Sequence, residues 1–250
     1  MRECMYRPAR YFYGQPMIIS LLVKSHLTRE TAPDMARNTK EEALETRNRI
    51  LDAAEEVFHM HGVSRTPLAD VADAANVTRG AIYWHFKNKS DLFDAMCERI
   101  RLPMEAMVEA NADGNEIDPL ARLRETCIFV LMEAVNNPHS RKVFDILHHK
   151  CEFVDPLDPI MIRQTECYME GHIRLEQILT NAIARGQLPV DLDVKLAAVT
   201  LRSLLHGLLN NWLFAPASFD LAQNAERLVD AALDTLRYAP SLRRLASSSA

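Results

Sequence analysis

Glycine is scarce in this chain, seven among 250 residues, and no two glycines lie close together. That excludes the glycine-rich loops that cradle phosphates in nucleotide-binding enzymes. Neither G-x-S-x-G nor H-E-x-x-H occurs, so the serine-hydrolase elbow and the zinc-protease helix are missing too. A Cys151/His149 pair has no third group to orient it, and the chain is read as no enzyme. The five cysteines (Cys4, Cys97, Cys127, Cys151, Cys167) are odd in number, widely spread and form no C-x-x-C pair. Neither a zinc site nor a disulfide framework is indicated, which points to a reducing, cytoplasmic setting. No apolar run approaches the roughly 20 residues that cross a bilayer. Period-2 alternation bounded by turn residues is also lacking, so strands are not expected. A net charge of −5 argues against a general polyanion binder, and any nucleic-acid contact must be local.

What the chain does have is helical periodicity, organised around Leu68–Lys87 (LADVADAANVTRGAIYWHFK). Leu68, Val71 and Ala72 share one helical face. Ala75-Asn76-Val77 breaks the pattern, and Asn76 tolerates a left-handed backbone. Thr78 is an N-cap candidate for a second helix, Arg79–Phe86, with Ala81 and Ile82 turned inward. This pattern is that of a helix-turn-helix, whose second helix enters a DNA major groove. Ala74–Ser90 carries Arg79, His85, Lys87 and Lys89 with no carboxylate, a positive patch on an otherwise mildly acidic chain.

The predicted architecture is all-α, with about nine helices. Residues 1–34 read as a disordered N-terminal extension. Their run Met17–Val23 follows Arg2, Arg7 and Arg10 as in a signal peptide, but no A-x-A cleavage site follows. Met35 opens a more coherent sequence and is a candidate start. Residues 35–100 form the DNA-binding domain. There Thr46 caps a first helix ending at His61, with Gly62 as terminator and Pro67 in the first turn of the next helix. Residues 101–243 form a second, helical domain that carries the dimerisation surface, and 244–250 a frayed tail. The last two helices, Asp193–Phe214 and Phe219–Tyr238, carry more apolar surface than one protomer would cover, so they are expected to pair in a homodimer.

Arg79 is long enough to reach a guanine edge or a phosphate, and Thr78 can cap its helix and donate to a phosphate. Tyr83 and His85 lie outward of Ile82, and Lys89 adds charge at the next helix start. Thr46 and Arg47 are further backbone candidates. Packing is the favoured reading of Trp84 and Phe86, since large aromatics mostly serve cores, but Trp84 and Gly80 are kept in the DNA-facing set. His148-His149-Lys150-Cys151-Glu152 tempts a metal reading. Adjacent histidines diverge by about 100° on a helix, so the cluster is read as bordering a ligand cavity, with no metal and no cofactor. On the otherwise apolar eighth helix Arg202, His206 and Asn210 recur at i, i+4, i+8, a stripe costly to bury without partners or a cavity. A solvent stripe or contacts across a dimer seam would explain it equally.

The stretch GVSRTPLADVADAANVTRGAIYWHFKNKSDLFDAM closely resembles the DNA-binding domain of the TetR repressors. ARNTKEEALETRNRIL, HHKCEF at 148–153 and NWLFAPASFDL at 211–221 resemble its AcrR branch, which includes repressors of multidrug efflux operons. The resemblance runs from about Met35 to Arg243; Asn76 stands where the family usually has glycine. It implies that the positions of Tyr83, His85 and Lys89 contact the DNA backbone while the start of the recognition helix reads bases. It also implies a pocket near Ile100, Arg101, Phe144, His148, Gly171 and Leu175, facing Arg202, Leu205, His206 and Asn210. The function implied is a homodimeric repressor on a palindromic double-stranded operator, released by a hydrophobic drug-like or aromatic effector and controlling an efflux pump operon. The other readings left open are a regulator switched by cysteine oxidation and a helical protein–protein adaptor.

Overall fold

In the computed structural model residues 32–112, 114–152 and 158–245 are described, with side chains from residue 39 onward except at 110 and 111. The readings of residues 1–31, including the signal-like run and most of the expected extension, lie outside them, as do 246–250. The chain forms two compact units, residues 1–41 and 42–250. Of the first, the start of helix α1 (Ala32–His61) is described.

Nine α-helices occur among the described residues, and no strand. After α1 come α2 (Leu68–Ala74), α3 (Arg79–His85) and α4 (Lys89–Ala112), then α5 (Pro119–Asn136) and α6 (Pro138–Asp145). A π-helical turn, Ile146–Lys150, continues α6; α7 (Pro159–Ala184), α8 (Val194–Phe214) and α9 (Leu221–Tyr238) complete the chain. Helix α1 begins well before Thr46, so Thr46 is not its cap. Its hydroxyl instead accepts from Arg49 on the next turn, at 3.4 Å. Between Pro33 and Gly62 the sequence contains no proline or glycine to stop a helix, so Thr46 lies inside it rather than at its start.

The first end of α2 is Pro67, and its other end is a Schellman motif. Asn76 has φ +53°; its N–H donates to the Asp73 carbonyl at 3.1 Å, and the Val77 N–H to that of Ala72 at 3.0 Å. Thr78 then caps α3 by accepting from the Ala81 N–H at 3.1 Å. Ile82 and Phe86 belong to the same buried hydrophobic cluster as Phe58, Phe93 and Met96, all fully or nearly fully buried. These residues make α1–α3 and the first half of α4 one core.

Helix α4 runs without interruption across residue 100, where a domain boundary was expected, and carries Pro103 inside it. Its second half packs on α7 and α5. Asn137 joins two helices, receiving N–H donors from His139 (3.0 Å) and Ser140 (3.3 Å) at the start of α6. Arg141 donates to the Ala134 and Val135 carbonyls at the end of α5 and lies over the Trp212 ring at 4.9 Å. The apolar stripe of α9 is buried largely against α5 within the chain. The expected surplus of apolar surface therefore falls on α8, where Leu196, Val199, Leu204 and Phe214 are exposed. Arg243 forms a bridge with Leu192, and the Arg244 N–H donates to the Asp191 carbonyl at 2.7 Å. The start of the expected tail is thus tied to the α7–α8 loop.

Candidate DNA interface and effector cavity

The surface of α3 follows from the capped turn before it. With Ile82 buried, the helix turns Arg79, Gly80, Tyr83 and Trp84 to solvent, beside exposed Thr78 and Lys87. Tyr83 is 59% exposed and Trp84 72%, unusual for aromatics whose one ring contact among the described residues is the edge-on contact of Trp84 with His85 at 4.5 Å. Trp84 is therefore no core residue, whereas Phe86 is, with the Arg47 guanidinium 5.1 Å above its ring. His85 is half-buried; burial and then the nearby Arg47 charge hold its pKa below the ordinary histidine value. Both effects favour the neutral ring over the charged one. A side chain at Gly80 would meet only the Thr78 hydroxyl, at 3.8 Å, so the bare backbone there leaves an open approach rather than serving internal packing.

Lys89 has partners within the fold. Its ammonium donates to the Val63 and Ser64 carbonyls, at 2.8 and 3.0 Å, and burial lowers its pKa. It fastens the α1–α2 loop to α4. Thr46 and Arg47 are half-buried on α1, and with Lys89 turned inward the outward group is Thr78, Arg79, Gly80, Tyr83 and Trp84, with His85 at its margin.

The same loop is held from its other side by the segment that follows α6. Val63 N–H donates to the Lys150 carbonyl at 3.0 Å, and the Ser64 hydroxyl to that of Glu152 at 3.0 Å. Along α1, Glu55 pairs with His139 (2.6 Å) and Arg99 (2.9 Å), Glu56 with Lys142, and His59 with Asp145 (3.0 Å). Glu55 is 2% exposed, so its carboxylate depends on these partners. Asp52, Glu55 and His139 also bring three potential metal-ligand atoms within 4.8 Å of one another. The Arg99 guanidinium already sits on both carboxylates, at 2.6 and 2.9 Å, and supplies the cation.

Beyond this junction lies a cavity of about 560 Å³, open to solvent on one side and lined by α4, α5, α6 with its π turn, α7 and α8. Its walls are chiefly apolar, from Met104 and Val108 to Leu131, Phe144, Leu175 and Leu205, the lining expected of a small-molecule site. Arg101, Phe144, His148, Gly171, Leu175, Arg202, Leu205 and His206 line it as expected. Ile100 lies buried in the core instead of at the wall, and Asn210 stands behind His148, 3.3 Å from its Nδ1. Sequence reasoning did not include Met104, Glu105 and Val108, because α4 was divided at residue 100. It also omitted the α5 face with Thr126, Cys127 and Val130, whose stripe has the same period whether it faces core or cavity.

The histidine cluster separates as helix geometry requires. His148 stacks on His206 with centroids 4.2 Å apart, whereas His149 Nδ1 contacts Asp145 at 2.7 Å. Burial first, then the neighbouring His206, hold the pKa of His148 down; burial and Arg202 do so for His206. Arg202 lies 3.9 Å over the Tyr168 ring and donates to its carbonyl at 3.1 Å. Glu105 is shared by Arg101 (3.3 Å) and Arg174 (3.9 Å). Burial raises the Cys127 and Cys151 thiols to about 12 and also raises Cys97 and Cys167. None is the acidic, exposed thiol that a redox switch uses.

Comparison with known proteins agrees with this geometry. Residues 50–96 match the "Bacterial regulatory proteins, tetR family" and residues 118–238 the "MAATS-type transcriptional repressor, C-terminal region". The chain is 43% identical over 217 residues to the transcriptional regulator AcrR of Shigella flexneri, covering 86% of this chain and all of that one. NalD, the secondary repressor of the MexAB-OprM multidrug efflux pump in Pseudomonas aeruginosa, superposes with TM-score 0.70 at 35% identity, covering 80% of this chain and 99% of that one. SmeT, the repressor of the Stenotrophomonas maltophilia pump SmeDEF, matches in its triclosan complex with TM-score 0.70 at 31% identity, covering 78% of this chain and 93% of that one. The chain belongs to the TetR family of bacterial transcriptional regulators, DNA-binding proteins and not enzymes.

Proposed function

We propose that this protein is a cytoplasmic, homodimeric repressor of a multidrug efflux pump operon, released from a palindromic operator by a hydrophobic small molecule. The observation that carries the proposal is the continuity of α4. One helix supplies Leu92, Phe93 and Met96 to the core behind α3 and Met104, Glu105 and Val108 to the cavity wall. An occupant that displaces the second half of α4 must shift the first half, and the recognition helix with it. The π turn gives a second connection: His148 lines the cavity, and Lys150, two residues on, holds the α1–α2 loop. The exposed apolar face of α8, with α9 beside it, supplies the dimer surface, and each protomer presents one α3 to successive major grooves. Such half-sites lie about 34–36 Å apart, or multiples of it. The names of related repressors, and the triclosan held by one of them, support the efflux assignment and the effector class.

Coupling of this kind is reciprocal and typically amounts to ~1–3 kcal/mol, a change of roughly 5- to 150-fold in affinity. The test is fluorescence anisotropy with the intergenic DNA upstream of the protein's own gene, titrated with and without triclosan, and the triclosan titration repeated with and without DNA. The two ratios are expected to agree and to exceed about fivefold. Equal effector affinity for the free and DNA-bound protein would overturn the release mechanism.

A further inference from the structure

The cavity's charges are unevenly matched. Its lining holds three guanidinium groups, Arg101, Arg174 and Arg202, and a single carboxylate, Glu105. Arg101 and Arg174 already share Glu105. Arg202 has no carboxylate within ion-pair distance among the described residues; its contacts are the Tyr168 ring and the Tyr168 carbonyl. The packing is fitted to this guanidinium. A Cβ added at Gly171 would stand 3.3 Å from Arg202 Nη1, so α7 carries no side chain where Arg202 lies. One of the five N–H donors of a guanidinium serves the Tyr168 carbonyl, and the group is half-buried. Leaving a cation in an apolar cavity without an anion is costly, and an arginine fork is shaped to receive a planar anion. His206, one turn on, stacks with His148 beside it and adds ring nitrogens without a competing negative charge.

We infer that the effector this cavity prefers is an amphiphilic anion, an aromatic or otherwise apolar body bearing one carboxylate or phenolate, with the anionic group seated on Arg202. The inference rests on the effector reading above and narrows it, since apolar walls alone would accept neutral, cationic and anionic compounds alike.

The experiment uses the full-length protein and three compounds of one shape: 2-naphthoate, 2-naphthamide and 2-naphthylmethylammonium. Binding is measured by calorimetry at pH 7.5, and operator release by anisotropy in parallel. Naphthoate is expected to bind about tenfold or more tighter than the amide, with the ammonium weakest, the range for a charge-assisted contact in a partly dry site. Arg202→Gln should bring naphthoate to the amide's affinity and leave the amide unchanged, whereas Arg202→Lys should keep the preference for the anion. Circular-dichroism melts of both variants establish that they fold. Equal affinity for naphthoate and amide, tighter binding of the ammonium, no saturable binding of naphthoate, or equal weakening of all three by Arg202→Gln would overturn the inference. The release readings separate this from the broader proposal. Release by any of the three without an anion preference removes the inference alone, and selective naphthoate binding without release removes the repressor mechanism alone.

Discussion

The recognition helix and the effector cavity treat polar groups in opposite ways. On α3, Arg79 and Tyr83 stand in solvent with no hydrogen bond or ion pair among the described residues, available to a large partner. In the cavity most polar groups are turned on one another, Glu105 to two arginines and His148 to His206 and Asn210, while Arg202 has the Tyr168 ring and carbonyl but no anion. A surface meant for a polyelectrolyte keeps its groups hydrated, at little cost, until the partner arrives. A cavity with apolar walls holds most of its polar groups on one another while empty and leaves the rest to its ligand. Stability and binding should therefore separate on α3 and be entangled in the cavity.

The largest effects come from neighbouring residues on α3. Ile82→Ala removes a fully buried side chain from the core behind the helix and should cost about 3 kcal/mol of stability. Arg79→Ala removes an exposed side chain and should leave the melting temperature within a degree or so. It should weaken operator binding by about 2 kcal/mol, roughly thirtyfold, the worth of a good base contact. Denaturant melts and anisotropy on both variants check the separation. An Arg79→Ala protein that binds the operator unchanged would remove α3's first turn from the interface.

That separation also explains what could be read in advance. Helix-turn-helix geometry is local: Asn76 at φ +53°, Thr78 accepting from Ala81, and Ile82 as the inward anchor are each decided within a few residues. The start of α1 was missed for the converse reason, since nothing marks Thr46 as interior except the helix-permissive residues before it. Charge and the resemblance place Lys89 at the DNA, but neither shows the Val63 and Ser64 carbonyls that hold its ammonium, which come from a loop 26 and 25 residues earlier. The cavity demanded more. The stripe on α5 looks the same facing core or void, and only the convergence of five elements decides which. Arg202, His206 and Asn210 were legible as a stripe that burial would penalise, but their partners on α6 and α7 were not.

A smaller effect tests the local geometry itself. Asn76 is the one non-glycine with positive φ among the described residues. Asn76→Ala should cost about 1 kcal/mol, because a Cβ without a compensating polar group is strained there. Asn76→Gly should be neutral or stabilise by a few tenths of a kcal/mol. Thermal melts of the two variants, which differ by one methyl group, check this; equal stability would show that the left-handed turn is not under strain.

The smallest effect lies in the cavity and depends on pH. Burial, with His206 and Arg202 nearby, holds the pKa values of His148 and His206 below the unfolded value of 6.5. Asp145 and the Asn210 hydrogen bond pull His148 the other way but do not reverse the shift. The folded protein thus binds fewer protons than the unfolded chain just below pH 6.5. The stability contributed by the neutral pair is complete above pH 6.5 and is lost as pH falls from there through the depressed folded values. Melting temperatures between pH 7.5 and 5.5 should fall more steeply for the wild-type protein than for the His148→Gln/His206→Gln double variant. The difference between the two slopes removes contributions from groups common to both, among them Asp94, whose pKa burial raises. Parallel slopes would mean that the stacked rings become charged without cost. The cavity would then be as well hydrated as the surface of α3, and the contrast between the two regions would fail on its polar side.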